Sequence, residues 1–111
     1  MPKFIIERNV PGAGQLSGDQ LCRLSRKSRS VLRELGPDIV WVQSYVADDH
    51  LFCVYVAPDA ETIREHARRG GFPCDRVIPV RGAIDLATAE GSMTTPQPMQ
   101  LAVQLAQRSA A

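Results

Sequence analysis

An α+β fold, with one four-stranded antiparallel sheet and two helices on a single face, is what this chain of 111 residues predicts. Three observations carry the prediction. Apolar runs of strand length surround Phe4, Trp41, Phe52 and Val77. Two intervening stretches keep helical spacing, and turn or capping residues mark most boundaries, giving the order βαββαβ. Right-handed crossovers in that order place both helices on one side of the sheet.

Lys3 to Arg8 carries Phe4, Ile5 and Ile6 together and ends at Asn9 and the turn-forming Pro11-Gly12-Ala13-Gly14, as a central strand apolar on both faces does. Ser17 and Gln20 have capping-box spacing. Leu21, Leu24, Ser28, Val31, Leu32 and Leu35 then follow the helical period to the stop at Gly36-Pro37. Opposite that stripe lie Cys22, Arg26, Arg29 and Arg33, flanked by Arg23 and Lys27. A solvated helix exterior accounts for them, because charge elsewhere cancels the cluster.

From Ile39 the residues alternate, placing Val40, Val42, Ser44 and Val46 on one face and Ile39, Trp41, Gln43 and Tyr45 on the other. Ala47-Asp48-Asp49-His50 supplies the turn. The return strand sets Phe52, Val54 and Val56 against Leu51, Cys53, Tyr55 and Ala57, so neither face is polar. Pro58-Asp59 stops it and caps a second helix with the stripe Ala60, Ile63 and Ala67, which ends at Gly70-Gly71. Arg76 to Arg81 forms the last strand, and Pro79, unable to donate to a ladder, suits an edge.

This is the ferredoxin-like arrangement, assigned to residues 1–82. Residues 83–111 form a C-terminal arm rich in Ala, Thr, Gly and Pro, with an Ala-rich stretch from Met99 to Ala106 that is either a short docking helix or a frayed end. With both helices on one side, the other sheet face is expected to carry Trp41, Tyr45, Cys53 and Tyr55, too apolar to stand bare in water. A homodimer through that face is the simplest cover. The alternative is the arm itself, folding Leu101 and Leu105 back.

Composition narrows the function classes. Hydrophobic residues make up 44% and charged residues 23%, and 13 Lys and Arg against 12 Asp and Glu give a net charge of +1. That balance argues against nucleic acid as a partner. No apolar segment reaches the length of a membrane span or a signal-peptide core, so no membrane partner and a cytoplasmic location are expected. Three cysteines without a CxxC pair read as free thiols.

His66 follows Glu65 within the second helix and lies off its apolar stripe, where it could meet a pocket between helix and sheet. Imidazole with the Cys53 thiolate would suit nickel or zinc, although neither spacing demands a site and a buried cysteine is commonly a core residue. Arg8, ending the first strand, faces either the tyrosines of the uncovered face or the space beneath the helices. Arg8, Tyr45, Tyr55 and His66 are therefore the candidate ligand-binding residues, and His66 with Cys53 the candidate metal donors.

The segment LFCVYVAPDAETIREHARRGGFPCDRV, with the opening KFIIERNVPG, resembles a bacterial domain family of unknown function whose members look ferredoxin-like and whose distant relatives include nickel-binding proteins. The likeness spans about Pro2 to Arg81 and is strongest around Glu7-Arg8, Ala57-Pro58 and Arg64-Glu65-His66-Ala67. The nickel-binding relatives carry extra histidines near the end of the first strand and in the loop after the second helix, where this chain has Arg8, Asn9 and Phe72. Cys53 matches a cysteine of theirs, and His66 lies one position from their helix histidine.

Two functions follow as expectations. The first is a small dimeric binding protein for a divalent transition metal such as nickel. The alternative is a cofactor-independent enzyme of the dimeric α+β barrel type, a monooxygenase or isomerase acting on a small anionic or aromatic molecule, with His66 as acid or base and Arg8 holding an oxyanion.

Overall fold

The elements form in the order expected: β1 (Lys3–Asn9), α1 (Gly18–Leu35), β2 (Val40–Val46), β3 (His50–Val56), α2 (Ala60–Gly70) and β4 (Arg76–Val80). They belong to a computed structural model that describes residues 1–91. A 3-10 turn at Ala13–Gln15 precedes α1, and a four-residue helix α3 (Leu86–Ala89) is capped by Asp85. The chain divides into two units, Met1–Pro79 and Val80–Ala111. The expected stretch from Met99 to Ala106, with Leu101 and Leu105, lies outside the described residues.

The sheet is antiparallel with strand order β2-β3-β1-β4, so β1 is central and β4, with its Pro79, is an edge. At the start of α1 the Ser17 amide donates to Gln20 Oε1 at 2.8 Å and the Gln20 amide to Ser17 Oγ at 3.1 Å, the reciprocal pair that satisfies two orphan donors. The Asp59 carboxylate caps α2 by accepting from the Thr62 amide at 2.8 Å. Gly71 ends that helix in the left-handed region at φ 67°, where a side chain would be strained. No helix among the described residues is long and apolar enough to cross a membrane.

Alternate residues of the two central strands form the floor beneath the helices. Phe4 pairs with Tyr55, Ile6 with Cys53 and Arg8 with Leu51, all buried. Ile63 of α2 is buried with them, and Leu24, Leu32 and Leu35 of α1 pack against the same cluster. Removing such surfaces from water, at about 25 cal/mol per Å², is what holds the helices to the sheet.

The assignment of sheet faces differs from the sequence expectation. Trp41, Cys53 and Tyr55 lie on the helix side, and Tyr45 alone of the expected four stands on the open side. Two causes act together. The buried set of β3 is the one that pairs with Phe4, Ile6 and Arg8, and β2 carries a bulge: Trp41 pairs with Tyr55 but Gln43 with Val54, leaving Val42 unpaired. The extra residue inverts the alternation. Trp41 and Ser44, three apart, consequently share a face, and the Trp41 indole N–H donates to Ser44 Oγ at 2.9 Å. The open face is apolar all the same, with Val40, Val42 and Tyr45 exposed and Ile5, Phe52, Val54 and Val56 half-buried. Glu7 points to this side and pairs with Arg76 at 3.5 Å.

Candidate functional site

Between α1 and the helix side of the sheet lies a cavity of about 480 Å³. Trp41, Leu51, Cys53 and Tyr55 line it from the sheet, Leu21, Leu24, Lys27 and Ser28 from α1, and Phe72 and Pro73 from the loop after α2. Among the described residues Arg8 and Lys27 are its charged lining residues, and no aspartate or glutamate joins them. Its size and mostly apolar walls are those of a small-molecule site.

Arg8 is only 3% exposed. Its Nε donates to Cys53 Sγ at 3.4 Å and its Nη1 to the Pro73 carbonyl, while Nη2 is buried without a partner. The ion pairs among the described residues join Arg64 to Glu61, Arg68 and Arg69 to Glu65, and Arg76 to Glu7, and none involves Arg8. A guanidinium thus sits inside the protein on a weak thiol acceptor and one carbonyl, without a counterion among the described residues.

His66 is completely buried, and with Ile63, Ala67 and Gly70 it makes the buried face of α2. Spacing of three, four and seven from Ile63 puts it in the apolar stripe, not off it as the sequence reading held. Its Nε2 lies 3.1 Å from Ser28 Oγ, which in turn lies 3.5 Å from the Tyr55 hydroxyl, while Nδ1 has no partner. Burial, and then the positive charge of Arg8, lowers the imidazole from 6.5 to about 4, hydrogen bonding to Ser28 opposing the fall. Burial also raises the Tyr55 hydroxyl, against the Ser28 hydrogen bond. Both groups are neutral at pH 7. His66 is not among the lining residues and meets the cavity only through Ser28, Tyr55 and Phe72, whose rings lie 5.2 Å (Tyr55) and 5.3 Å (Phe72) from its own.

Of the expected ligand-binding residues, Arg8 and Tyr55 line the cavity and His66 backs it. Tyr45 does not take part: it is 57% exposed on the open face, where its hydroxyl donates to Gln43 Oε1 at 3.1 Å. Phe72, Ser28 and Lys27 are the participants the sequence reading passed over. Ser28 was visible as the one polar position of the α1 stripe, and Phe72 as the aromatic residue set between Gly71 and Pro73. Arg8 Cζ lies 5.6 Å and Lys27 Nζ 5.5 Å from the centre of the Phe72 ring, within cation–π range.

Of the expected metal donors, Cys53 lies in the cavity wall and His66 behind it. Arg8 Nε points its hydrogen at the Cys53 sulfur, and the nearby cation opposes a divalent ion. Among the described residues no group of three His, Cys, Asp or Glu side chains is placed to hold a metal.

Comparison with known proteins gives a family and a fold. A family model described as nickel responsive protein, SCO4226-like, matches residues 4–80. The crystal structure of SCO4226 from Streptomyces coelicolor A3(2) superposes with a TM-score of 0.63 at 19% identity, covering 74% of this chain and 99% of that one. At that identity the superposition speaks to the fold, which is the same ferredoxin-like α+β arrangement. No curated protein matches the chain.

Proposed function

The chain belongs to the SCO4226-like family of nickel responsive proteins, and from that premise we propose that it is a small-molecule-binding protein whose ligand occupies the cavity between α1 and the sheet. The observation that carries this reading is the cavity itself: about 480 Å³ of largely apolar space with a buried, incompletely bonded Arg8 in its wall. Trp41, the single tryptophan, lines it and supplies the readout. N-phenyl-1-naphthylamine, a neutral apolar dye, is expected to bind and to take up Trp41 emission by energy transfer. Absence of transfer at saturating dye would rule the reading out.

Nickel is the second reading, favoured by the family's description. It requires calorimetric heat on adding nickel chloride that disappears in both His66→Gln and Cys53→Ser variants. Heat that persists in both would move any metal away from the expected donors.

We further propose that two copies pair through the open sheet face. Val40, Val42 and Tyr45, exposed beside Phe52 and Val54 with Gln43 among them, form a largely apolar surface of the kind that marks an interface. Sedimentation should give a dimer at tens of micromolar, and Tyr45→Glu, a change at an exposed position, should give a folded monomer. A monomeric wild-type protein at that concentration would exclude the pairing.

A further inference from the structure

We infer that the cavity's ligand is an organic monoanion, a carboxylate whose head is held by Arg8 and whose apolar body lies against Trp41, Leu24 and Leu51. The inference rests on the reading of the cavity as a ligand site and adds the charge and class of what enters it.

Arg8 is the reason. A guanidinium has five N–H donors in a planar fork that matches a carboxylate. Here Nε meets a thiol, a weak acceptor, Nη1 meets one carbonyl, and Nη2 has no hydrogen-bond partner among the described residues, although the residue is buried. Charges withdrawn from water are ordinarily paired, because desolvation is otherwise uncompensated. Two carboxylates placed near the end of β1 are engaged elsewhere: Glu7 faces the opposite side of the sheet with Arg76, and Asp75 Oδ2 accepts from the Asn9 amide at 2.6 Å. No group among the described residues pairs with Arg8, and a bound carboxylate would supply that partner.

The rest of the wall decides which anion. Lys27 adds a second positive charge and no acidic residue among the described ones lines the cavity, so a cationic ligand is disfavoured. A phosphate dianion would need several further donors, whereas the lining Ser25 hydroxyl donates to the Leu21 carbonyl at 2.8 Å, Ser44 Oγ accepts from the Trp41 indole at 2.9 Å, and the Ser28 and Tyr55 hydroxyls already face each other at 3.5 Å. One charge on an apolar body fits these walls. Arg8 lines the cavity, and Lys27 Nζ, 5.5 Å from the centre of the same Phe72 ring, adds positive charge beside it.

The test is displacement of N-phenyl-1-naphthylamine from the whole protein by octanoate, octanamide and octylamine, which share a chain and differ in the head. Octanoate should compete at least tenfold better than octanamide, with octylamine weakest. Arg8→Met should remove the preference for octanoate over octanamide. Equal competition by octanoate and octanamide in the wild-type protein, or a preference that survives in Arg8→Met, overturns the inference and leaves the cavity reading standing. Failure of the dye itself to bind overturns both. The wild-type comparison decides the matter even if the variant does not fold.

Discussion

Lowering the pH from 7 to 4.5 is expected to remove roughly 2 kcal/mol of folding stability through His66 alone. In the native protein the imidazole takes a proton only near pH 4, held down by burial first and by Arg8 second, against 6.5 in a solvated chain. Between those values the unfolded chain carries a proton that the native one does not. Stability therefore declines as pH falls through about 6.5 towards 4, and His66 contributes no further loss below that, where both states are protonated. The carboxylates act lower. Asp59, bonded first by the Thr62 amide, and Glu65, bonded first by Arg69, are both held below the ordinary carboxylate range, so what they contribute is lost as pH falls below their unfolded values. Urea midpoints of the wild type and of His66→Gln at pH 7 and 4.5 check the assignment. The variant should show a smaller decline over that interval, and an equal decline would mean that another group carries it.

How much of this was legible in the sequence depends on whether local pattern or strand pairing decides the feature. The helices and their ends were legible because Ser17 with Gln20, Asp59, Gly36 and Gly71 act through bonds to near neighbours. The central place of β1 and the edge position of β4 followed from the Ile5-Ile6 run and from Pro79. Which face of β3 meets the helices was not legible, since Phe52, Val54 and Val56 are as apolar as Leu51, Cys53 and Tyr55, and only pairing with β1 chooses between them. The Val42 bulge gives no local sign either, and it alone separates Trp41 from Tyr45. Arg8 as a buried cation was half legible: a charge ending a strand among apolar residues announces a polar pocket or an ion pair, but not which. His66 could have been placed correctly by counting from Ile63, because a histidine at a stripe position of a short helix belongs to the buried face.

The same argument from position and neighbour predicts opposite effects for one substitution at two helical glycines. At Gly18, in the first turn of α1, a methyl group would meet no atom within 4 Å, and Gly18→Ala is expected to stabilise by about 0.5 kcal/mol through the lower entropy of the unfolded chain. At Gly70 the methyl would overlap the Phe72 ring. That ring is not free to turn away without loss: the Phe72 amide is fixed to the Ala67 carbonyl at 2.9 Å, and the ring lies against His66, Arg8 and Lys27. Gly70→Ala is therefore expected to destabilise by about 1–3 kcal/mol, the usual range for forcing volume into a packed site. Because Phe72 is also a cavity wall, the change should weaken dye binding at temperatures where the variant is still folded, and Gly18→Ala should not. Urea unfolding of the two variants, each paired with a dye titration, tests both halves. A Gly70→Ala protein as stable as Gly18→Ala and with unaltered dye affinity would mean that Phe72 gives way freely and does not shape the cavity.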